Sequence, residues 1–145
     1  MKRYFIFFLL LWNVTLHSQT IEENTVIQEK LEALKKTKYD STRSILYNQL
    51  SQKSGLLKLT ENQEKYADSA VFYAEKSKVP KLIIRSFTSK INAAIVKQDT
   101  TTVYYFFRKG LKLAKEKNIS KLNNDFLKFK IREIYYSIRQ GKISS

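Results

Sequence analysis

The sequence is poor in the residues on which cross-links, metal sites and tight turns depend. Its 145 residues include no cysteine, one proline and three glycines. The absence of thiols excludes disulfides and thiolate metal sites, so the fold depends on packing alone. Scarce proline and glycine favour helices over an all-β sandwich. A hydrophobic content of 43% is nevertheless too high for a disordered chain, and the length suits one domain.

Histidine is almost absent as well, which limits catalysis. The single histidine, His17, lies in the segment that we predict below to be a signal peptide. A mature chain without imidazole or thiol cannot form Ser–His or Cys–His nucleophiles or histidine-bound zinc. The isolated glycines form no phosphate-binding loop, and no carboxylate pair lies in an apolar stretch that would raise a pKa. We therefore expect no enzymatic activity, no cofactor and no metal site.

The first nineteen residues have the layout of a secretory signal peptide. Lys2 and Arg3 precede an apolar run over residues 4–12, and a more polar stretch follows. Asn13 interrupts this run well before the about 20 apolar residues that a membrane span needs. We expect residues 1–19 to direct export to the periplasm or the cell exterior, with an uncleaved anchor as the alternative. We expect no transmembrane span in the mature chain.

Acidic residues are outnumbered: 13 aspartates and glutamates accompany 27 lysines and arginines, giving a formal net charge of +14. The positive electrostatic field of such a chain favours anionic partners, namely nucleic acid, anionic lipid or polysaccharide, or an acidic protein face. The basic residues are spread through all the predicted helices, so a solvated lysine-rich surface is the plain alternative. Export makes nucleic acid the least expected of these partners.

The main positive feature is an internal repeat. The segment AEKSKVPKL at residues 74–82 returns forty residues later as AKEKNISKL at residues 114–122. Each copy closes one amphipathic helical pattern and opens the next. A period of about 20–50 residues with two helices per unit is typical of helical solenoids. We expect a leading helix within residues 20–39 and a helical repeat domain over residues 40–145.

Polar residues and one proline are predicted to mark the helix starts. Pro80 suits a first helical turn, because its missing N–H has no partner to lose there. The candidate N-caps are Asp40 or Ser41 for the second helix, a capping box at residues 60–63 for the third, and Asp99 or Thr100 for the fifth. The second helix is expected to carry an apolar stripe of Ile45, Leu46, Leu50, Leu57 and Leu59.

The second helices of these pairs resemble those of tetratricopeptide repeats, in a variant of about forty residues. That family places small residues where neighbouring helices come closest, and Ala70 and Gly110 match this position. Val103 and Phe107 match the family's small and aromatic positions in the second copy. The resemblance covers about residues 40–145. It implies an all-α fold in which antiparallel helix pairs stack as a short α-solenoid.

The resemblance also implies where a partner binds. In tetratricopeptide arrays the first helix of each pair lines a concave groove, which here means the fourth and sixth helices. Arginine and aromatic side chains are the usual anchors of such surfaces. The candidate groove residues are Arg85, Ser89, Asn92, Asp125, Phe129, Arg132 and Tyr136. For any one of them the alternative is ordinary surface polarity.

Two faces are larger than one neighbouring helix can cover. The rings of residues 104–107 spread over most of a helix circumference, so we expect at most three of them to be buried. The last predicted helix, which runs to about residue 139, carries apolar side chains on one face and Phe129 and Tyr136 on the opposite one. Solenoids normally end in a helix with a polar outer side, and none follows here. The pattern indicates homodimerisation or partner docking through this helix.

Chains with such a lead-in and repeat are similar to extracytoplasmic sensor segments of membrane-anchored bacterial signalling proteins. We expect an exported scaffold that binds a protein or peptide partner in a groove, as a sensor or assembly module. One alternative is a basic envelope protein that binds anionic lipid or polysaccharide, with an affinity that falls steeply as salt increases. Another is a truncated sensor fragment without autonomous function.

Overall fold

The structure, a computed structural model, describes residues 25–119 and residue 139. The chain divides into two units, Met1–Lys36 and Thr37–Ser145. Within the first unit, residues 25–36 form helix α1. The second unit contains helices α2 (Asp40–Leu56), α3 (Thr60–Ser77), α4 (Pro80–Val96) and α5 (Thr100–Glu116). No strand occurs in this described part of the chain, so the predicted all-α class is confirmed.

Two expectations concern residues that the structure does not describe. They are the signal peptide over residues 1–19 and the last predicted helix, of which the structure describes residue 139 alone. Among the helices described, none is both long enough and apolar enough to cross a membrane.

The helix boundaries repeat every forty residues. Helices α2 and α4 begin at Asp40 and Pro80, and helices α3 and α5 begin at Thr60 and Thr100. The chain also leaves each of these helices through one residue with a left-handed backbone, a common way for a helix to end. These residues are Lys58, Lys78, Gln98 and Asn118, with φ of 59°, 58°, 58° and 48°. The period of the sequence is therefore also a period of the backbone.

Two hydrogen bonds establish that α2 and α3 are antiparallel. The Ser44 hydroxyl donates to the carbonyl of Ala70 at 3.2 Å. Seven residues further along α2, the Ser51 hydroxyl donates to the backbone carbonyl of Gln63 at 3.0 Å. Moving forward along α2 thus moves backward along α3. Helix α4 packs against α2, α3 and α5, which makes it the central helix of the described unit.

The apolar core is centred on α4 and α5. Its buried side chains are Ile84, Phe87, Ile91, Ala94, Val103, Phe107 and Ala114. The inward positions of α3 and α5 also correspond at the forty-residue offset. Ala67, Ala70 and Ala74 on α3 correspond to Phe107, Gly110 and Ala114 on α5. The predicted small positions, Ala70 and Gly110, are both buried, so each lies where a neighbouring helix comes close.

The inward stripe of α2 is polar, contrary to the sequence prediction. Leu50 is fully buried as expected, whereas Ile45 and Leu46 are only half-buried. The other buried positions carry small polar side chains, which are Ser44, Asn48, Ser51 and Ser54. Serine can donate its hydroxyl proton to a nearby carbonyl, so a buried serine need not lose a hydrogen bond. The inner part of the contact between α2 and its neighbours is therefore made by small side chains and hydrogen bonds, and the rings of Tyr47 on α2 and Tyr73 on α3 stack beside it at 5.5 Å.

Asn48 and Ser89 form the hydrogen bond that joins α2 to α4, and we expect their contributions to stability to be coupled. The Ser89 hydroxyl donates to Asn48 Oδ1 at 2.8 Å, and both residues are buried. Ser89→Ala should cost about 1–3 kcal/mol, because the Asn48 oxygen is left buried without a donor. The double variant Asn48→Leu with Ser89→Ala removes both polar partners and should be at least as stable as Ser89→Ala. A double-mutant cycle by urea denaturation tests this; additive losses would contradict it.

Two of the predicted helix starts are confirmed. Asp99 caps α5 by accepting a 3.0 Å hydrogen bond from the amide of Thr102. Hydrogen bonds from Thr102 also hold the pKa of Asp99 below its usual range. Pro80 is the first residue of α4, where its missing N–H breaks no helical hydrogen bond.

Helices α2 and α3 begin at Asp40 and Thr60, close to the predicted positions, but the side-chain caps predicted for them were wrong. The residues that precede α2 and α3 are Tyr39 and Leu59, and neither caps its helix with a side chain. The capping box at residues 60–63 does not form because Gln63 is buried with its side-chain amide beside Gly55, while its backbone carbonyl accepts the bond from Ser51. Packing of α3 against α2 therefore determines the position of Gln63.

Glu64 joins α3 to α4 through two lysines. Its carboxylate lies 2.6 Å from Lys97 Nζ and 3.2 Å from Lys90 Nζ, and Lys90 also pairs with Asp68. The hydrogen bond from Lys97 holds the pKa of Glu64 below its usual 4.5. The native state therefore binds a proton at Glu64 less tightly than the unfolded state does.

Acid is expected to remove the stabilisation that Glu64 provides. Because its pKa is lowered on folding, this stabilisation is present above the unfolded pKa and is lost as the pH falls through the folded pKa. Glu64→Gln should give a shallower loss of unfolding free energy between about pH 5 and pH 3. Urea denaturation across this range measures it. Glu116→Gln, whose ion pair with Lys112 is 3.9 Å long and exposed, is the control. Parallel pH profiles for wild type and Glu64→Gln would refute the assignment.

Candidate functional site

The outer surface of α5 carries a cationic and aromatic stripe. Thr101, Tyr105, Arg108 and Lys112 recur at intervals of four, three and four residues, which places them on one side of a helix. All four are exposed. We call this stripe the α5 face. Together with Tyr104 and Lys109 it lines a cavity of about 550 Å³, and none of the described residues that line this cavity is a carboxylate.

Lys109 holds the edge of the α5 face in place. Its ammonium lies 2.6 Å from Glu75 Oε1 on α3, so it bridges α5 and α3. The same nitrogen lies 5.3 Å from the ring centroid of Phe87 and 5.7 Å from that of Tyr105, within the range of cation–π attraction. Burial by itself lowers the pKa of Lys109, but the hydrogen bond to Glu75, the charge of Glu75 and the contact with Tyr105 together outweigh burial and raise this pKa. Lys109 is therefore a charged brace between three helices.

An apolar groove lies beside the α5 face, between α3, α4 and α5. It has a volume of about 330 Å³. We call it the α3–α5 groove; its lining residues are Glu75, Ile83, Phe87, Lys109, Lys112, Leu113 and Glu116. Three of these are apolar and four are charged, with both signs represented. Lys109 and Lys112 line the groove as well as the cavity on the α5 face, so the two form one continuous surface.

The aromatic run at residues 104–107 divides as the helical geometry requires. Phe107 is buried, and Tyr104 and Phe106 are partly buried against the core. Tyr105 is 56% exposed. Consecutive helical residues are about 100° apart, so one of four rings has to face away from the core. Tyr105 is thus the ring that remains available to a partner.

The residues predicted to line a groove are only partly described. Asp125, Phe129, Arg132 and Tyr136 lie outside the described residues. On α4, Ser89 is 2% exposed and its hydroxyl is used by Asn48. Arg85 and Asn92 are half-buried on the same side of the helix, and Asn92 Oδ1 finds no hydrogen-bond partner among the described residues.

Sequence reasoning missed the α5 face because it looked for binding residues on the first helix of each pair. The pattern was nevertheless present, since Tyr105, Arg108 and Lys112 are spaced three and four residues apart. A stripe of polar residues at that spacing also occurs on ordinary solvated helices. The structure adds the observation that distinguishes this one, namely its continuity with the α3–α5 groove.

The electrostatics of the described residues suit ion pairing. Hydrogen bonds lower the pKa of Glu64 and Asp99, and raise the pKa of Lys97. Burial raises the pKa of Tyr47, which keeps its hydroxyl protonated. Each of these shifts moves a pKa further from neutral pH. General acid–base catalysis, in contrast, uses groups whose pKa is moved toward neutral pH. Among the described residues, no group of three or more aspartate, glutamate or histidine side chains is placed to hold a metal ion.

Comparison with known proteins returns no matching family model, no matching curated protein and no matching solved structure. The candidate site is therefore defined by geometry and charge: an exposed ring and cations on the α5 face, continuous with an apolar groove rimmed by both signs of charge.

Proposed function

We propose that this protein is an exported helical-repeat scaffold that binds a protein or peptide partner. The observation that carries the proposal is the continuous surface formed by the α5 face and the α3–α5 groove. It combines an apolar floor with exposed aromatic and cationic side chains. Interfaces between proteins have this composition, with a buried apolar centre and a polar rim that includes tyrosine and arginine.

The repeated backbone supports a scaffold. The helix pairs begin forty residues apart, and each helix is followed by one residue with a left-handed backbone. Because this geometry repeats, further pairs can be added to the stack. Stacks of this kind bury a continuous core and leave extended outer surfaces for partners. We propose the arrangement as a short α-solenoid of the tetratricopeptide type, and export rests on the charged and apolar start of the chain.

This function is tested by displaying a random peptide library and selecting the peptides that bind to the full chain. Enriched peptides should carry apolar side chains and bind the wild type in fluorescence anisotropy. Leu113→Lys places a charge in the groove and should weaken binding at least about tenfold, the equivalent of 1.4 kcal/mol. Ile83→Lys, from the other side of the groove, is a second variant in case the first fails to fold. No enrichment, or affinities unchanged in both folded variants, would overturn the proposal.

The net charge of +14 favours a second function, binding to anionic lipid or polysaccharide of the cell envelope. The two functions differ in their response to salt. Attraction between exposed charges is screened strongly as ionic strength rises, whereas apolar docking persists. Retained binding of the selected peptides at high salt supports the groove, and binding only to anionic vesicles or polysaccharide at low salt supports the alternative.

A further inference from the structure

We infer that the α5 face selects an acidic segment of the partner, in which an apolar residue precedes two carboxylates at alternate positions. This inference rests on the proposed function and specifies the chemistry of the ligand. The occupant is an extended peptide segment that runs along α5, with its apolar residue against Tyr105 and its carboxylates at Arg108 and Lys112.

The charges of the face are complementary to such a segment. Among the described residues, the cavity on α5 is lined by the cations Arg108, Lys109 and Lys112 and by no acid. Lys109 is already paired with Glu75. Arg108 makes no ion pair within the described residues, and Lys112 has only the exposed 3.9 Å contact with Glu116. Exposed pairs of this kind contribute little, so both cations are available to a carboxylate.

The ring next to these cations supplies the apolar contact. Tyr105 is 56% exposed and lies edge-on to Phe106, with ring centroids 5.0 Å apart. Lys109 lies over the same ring. These two contacts fix the orientation of Tyr105, so its ring can pack against a side chain at little entropic cost.

The spacing of the cations defines the spacing of the acids. Arg108 and Lys112 are four residues apart on a helix, which is about 6 Å along its axis. Alternate residues of an extended chain are about 6.6 Å apart and point to the same side. Tyr105 precedes Arg108 by a further helical turn. For a strand that runs in the same direction as α5, the matching pattern is therefore apolar–x–acidic–x–acidic.

The neighbouring carboxylates favour a single peptide strand over an anionic membrane. Glu75 and Glu116 line the adjoining groove within the same continuous surface. A flat anionic bilayer that reached Lys112 would also approach these carboxylates and be repelled by them. A narrow strand along the α5 face meets Glu116 beside Lys112 but does not have to cover the rest of the groove.

Fluorescence anisotropy with the full chain and two capped peptides tests the inference. One peptide contains Leu-x-Glu-x-Glu and the other Leu-x-Gln-x-Gln in the same context. The acidic peptide should bind at least about tenfold more tightly, as expected for charge-assisted hydrogen bonds to two cations. Arg108→Glu with Lys112→Glu should remove this preference. Lys65→Glu with Lys81→Glu makes the same change in net charge at exposed positions on α3 and α4 and should retain it. Circular dichroism and thermal melts verify that each variant folds.

The outcomes separate this inference from the function on which it rests. Equal binding of both peptides, lost in Leu113→Lys, overturns the acidic selectivity and leaves the groove function standing. An equal loss of the preference in both double variants also overturns it, since net charge alone would then explain the binding. If neither peptide binds but vesicles of phosphatidylcholine with phosphatidylglycerol do, the inference and the proposed function both fail.

Discussion

Phe87→Ala is expected to lower the free energy of unfolding by about 3–5 kcal/mol. Phe87 is 1% exposed and belongs to the core cluster of α4 and α5. Its ring centroid lies 5.1 Å from that of Phe106 and 5.3 Å from Lys109 Nζ. Truncation to alanine removes these contacts and leaves a cavity beside α4, the helix that packs against α2, α3 and α5.

Urea denaturation monitored by circular dichroism measures this loss. The control is Phe72→Ala, which truncates a phenylalanine that is 60% exposed on α3. Its contact with the Tyr73 ring at 5.0 Å should limit the cost to about 1 kcal/mol. Because whole domains are stable by about 5–15 kcal/mol, Phe87→Ala is expected to lose a large part of the total. Similar losses in the two variants would refute the placement of Phe87 in the core.

Ala70→Leu is expected to destabilise the α2–α3 contact by about 1–3 kcal/mol through overpacking. Ala70 is fully buried, and its carbonyl accepts the hydrogen bond from Ser44. A hydrogen bond from a side chain as short as serine requires the two backbones to lie close together. Three additional carbon atoms cannot fit there unless α2 moves away from α3.

The matched control is Lys65→Leu, the same residue introduced at an exposed position of α3. Thermal unfolding should show a lower midpoint for Ala70→Leu and little change for Lys65→Leu. Hydrogen exchange at the α2 amides should also become faster in Ala70→Leu, because this contact holds α2 in place. An Ala70→Leu variant as stable as the wild type would mean that the helices are not closely packed at this position.

Much of the helical framework was predictable because its signals are local. The forty-residue echo, Pro80 and Asp99 identified helix starts that the structure confirms. The small positions Ala70 and Gly110 were recognised from a family pattern and are buried. Pro80 and Asp99 act on the backbone within a few residues of themselves, which sequence patterns describe well.

Features that depend on contacts between distant residues were not predictable. Ile84, Ile91 and Ala94 on α4 correspond at the forty-residue offset to Ser44, Ser51 and Ser54 on α2, so equivalent inward positions carry opposite polarity. A search for apolar stripes therefore misplaced the inner face of α2. Ser89 was assigned to a groove for a similar reason: its bond to Asn48 joins residues 41 positions apart. The predicted capping box does not form for the same reason, because packing against α2 buries Gln63.

The candidate site combines both kinds of information. The spacing of Tyr105, Arg108 and Lys112 was present in the sequence, but their relation to the α3–α5 groove depends on how α3, α4 and α5 pack. Lys109 provides that relation, because it contacts Glu75, Phe87 and Tyr105 at once. The brace that stabilises the three helices also positions the exposed ring.

Mapping of amide chemical shifts on the full, isotope-labelled chain tests the binding surface most directly. The titrant is the Leu-x-Glu-x-Glu peptide. We expect the largest changes between Thr101 and Leu113 on α5, with smaller ones at Ile83 across the groove. Changes concentrated on α2, or on the Arg85 and Asn92 side of α4, would contradict the placement of the site on α5.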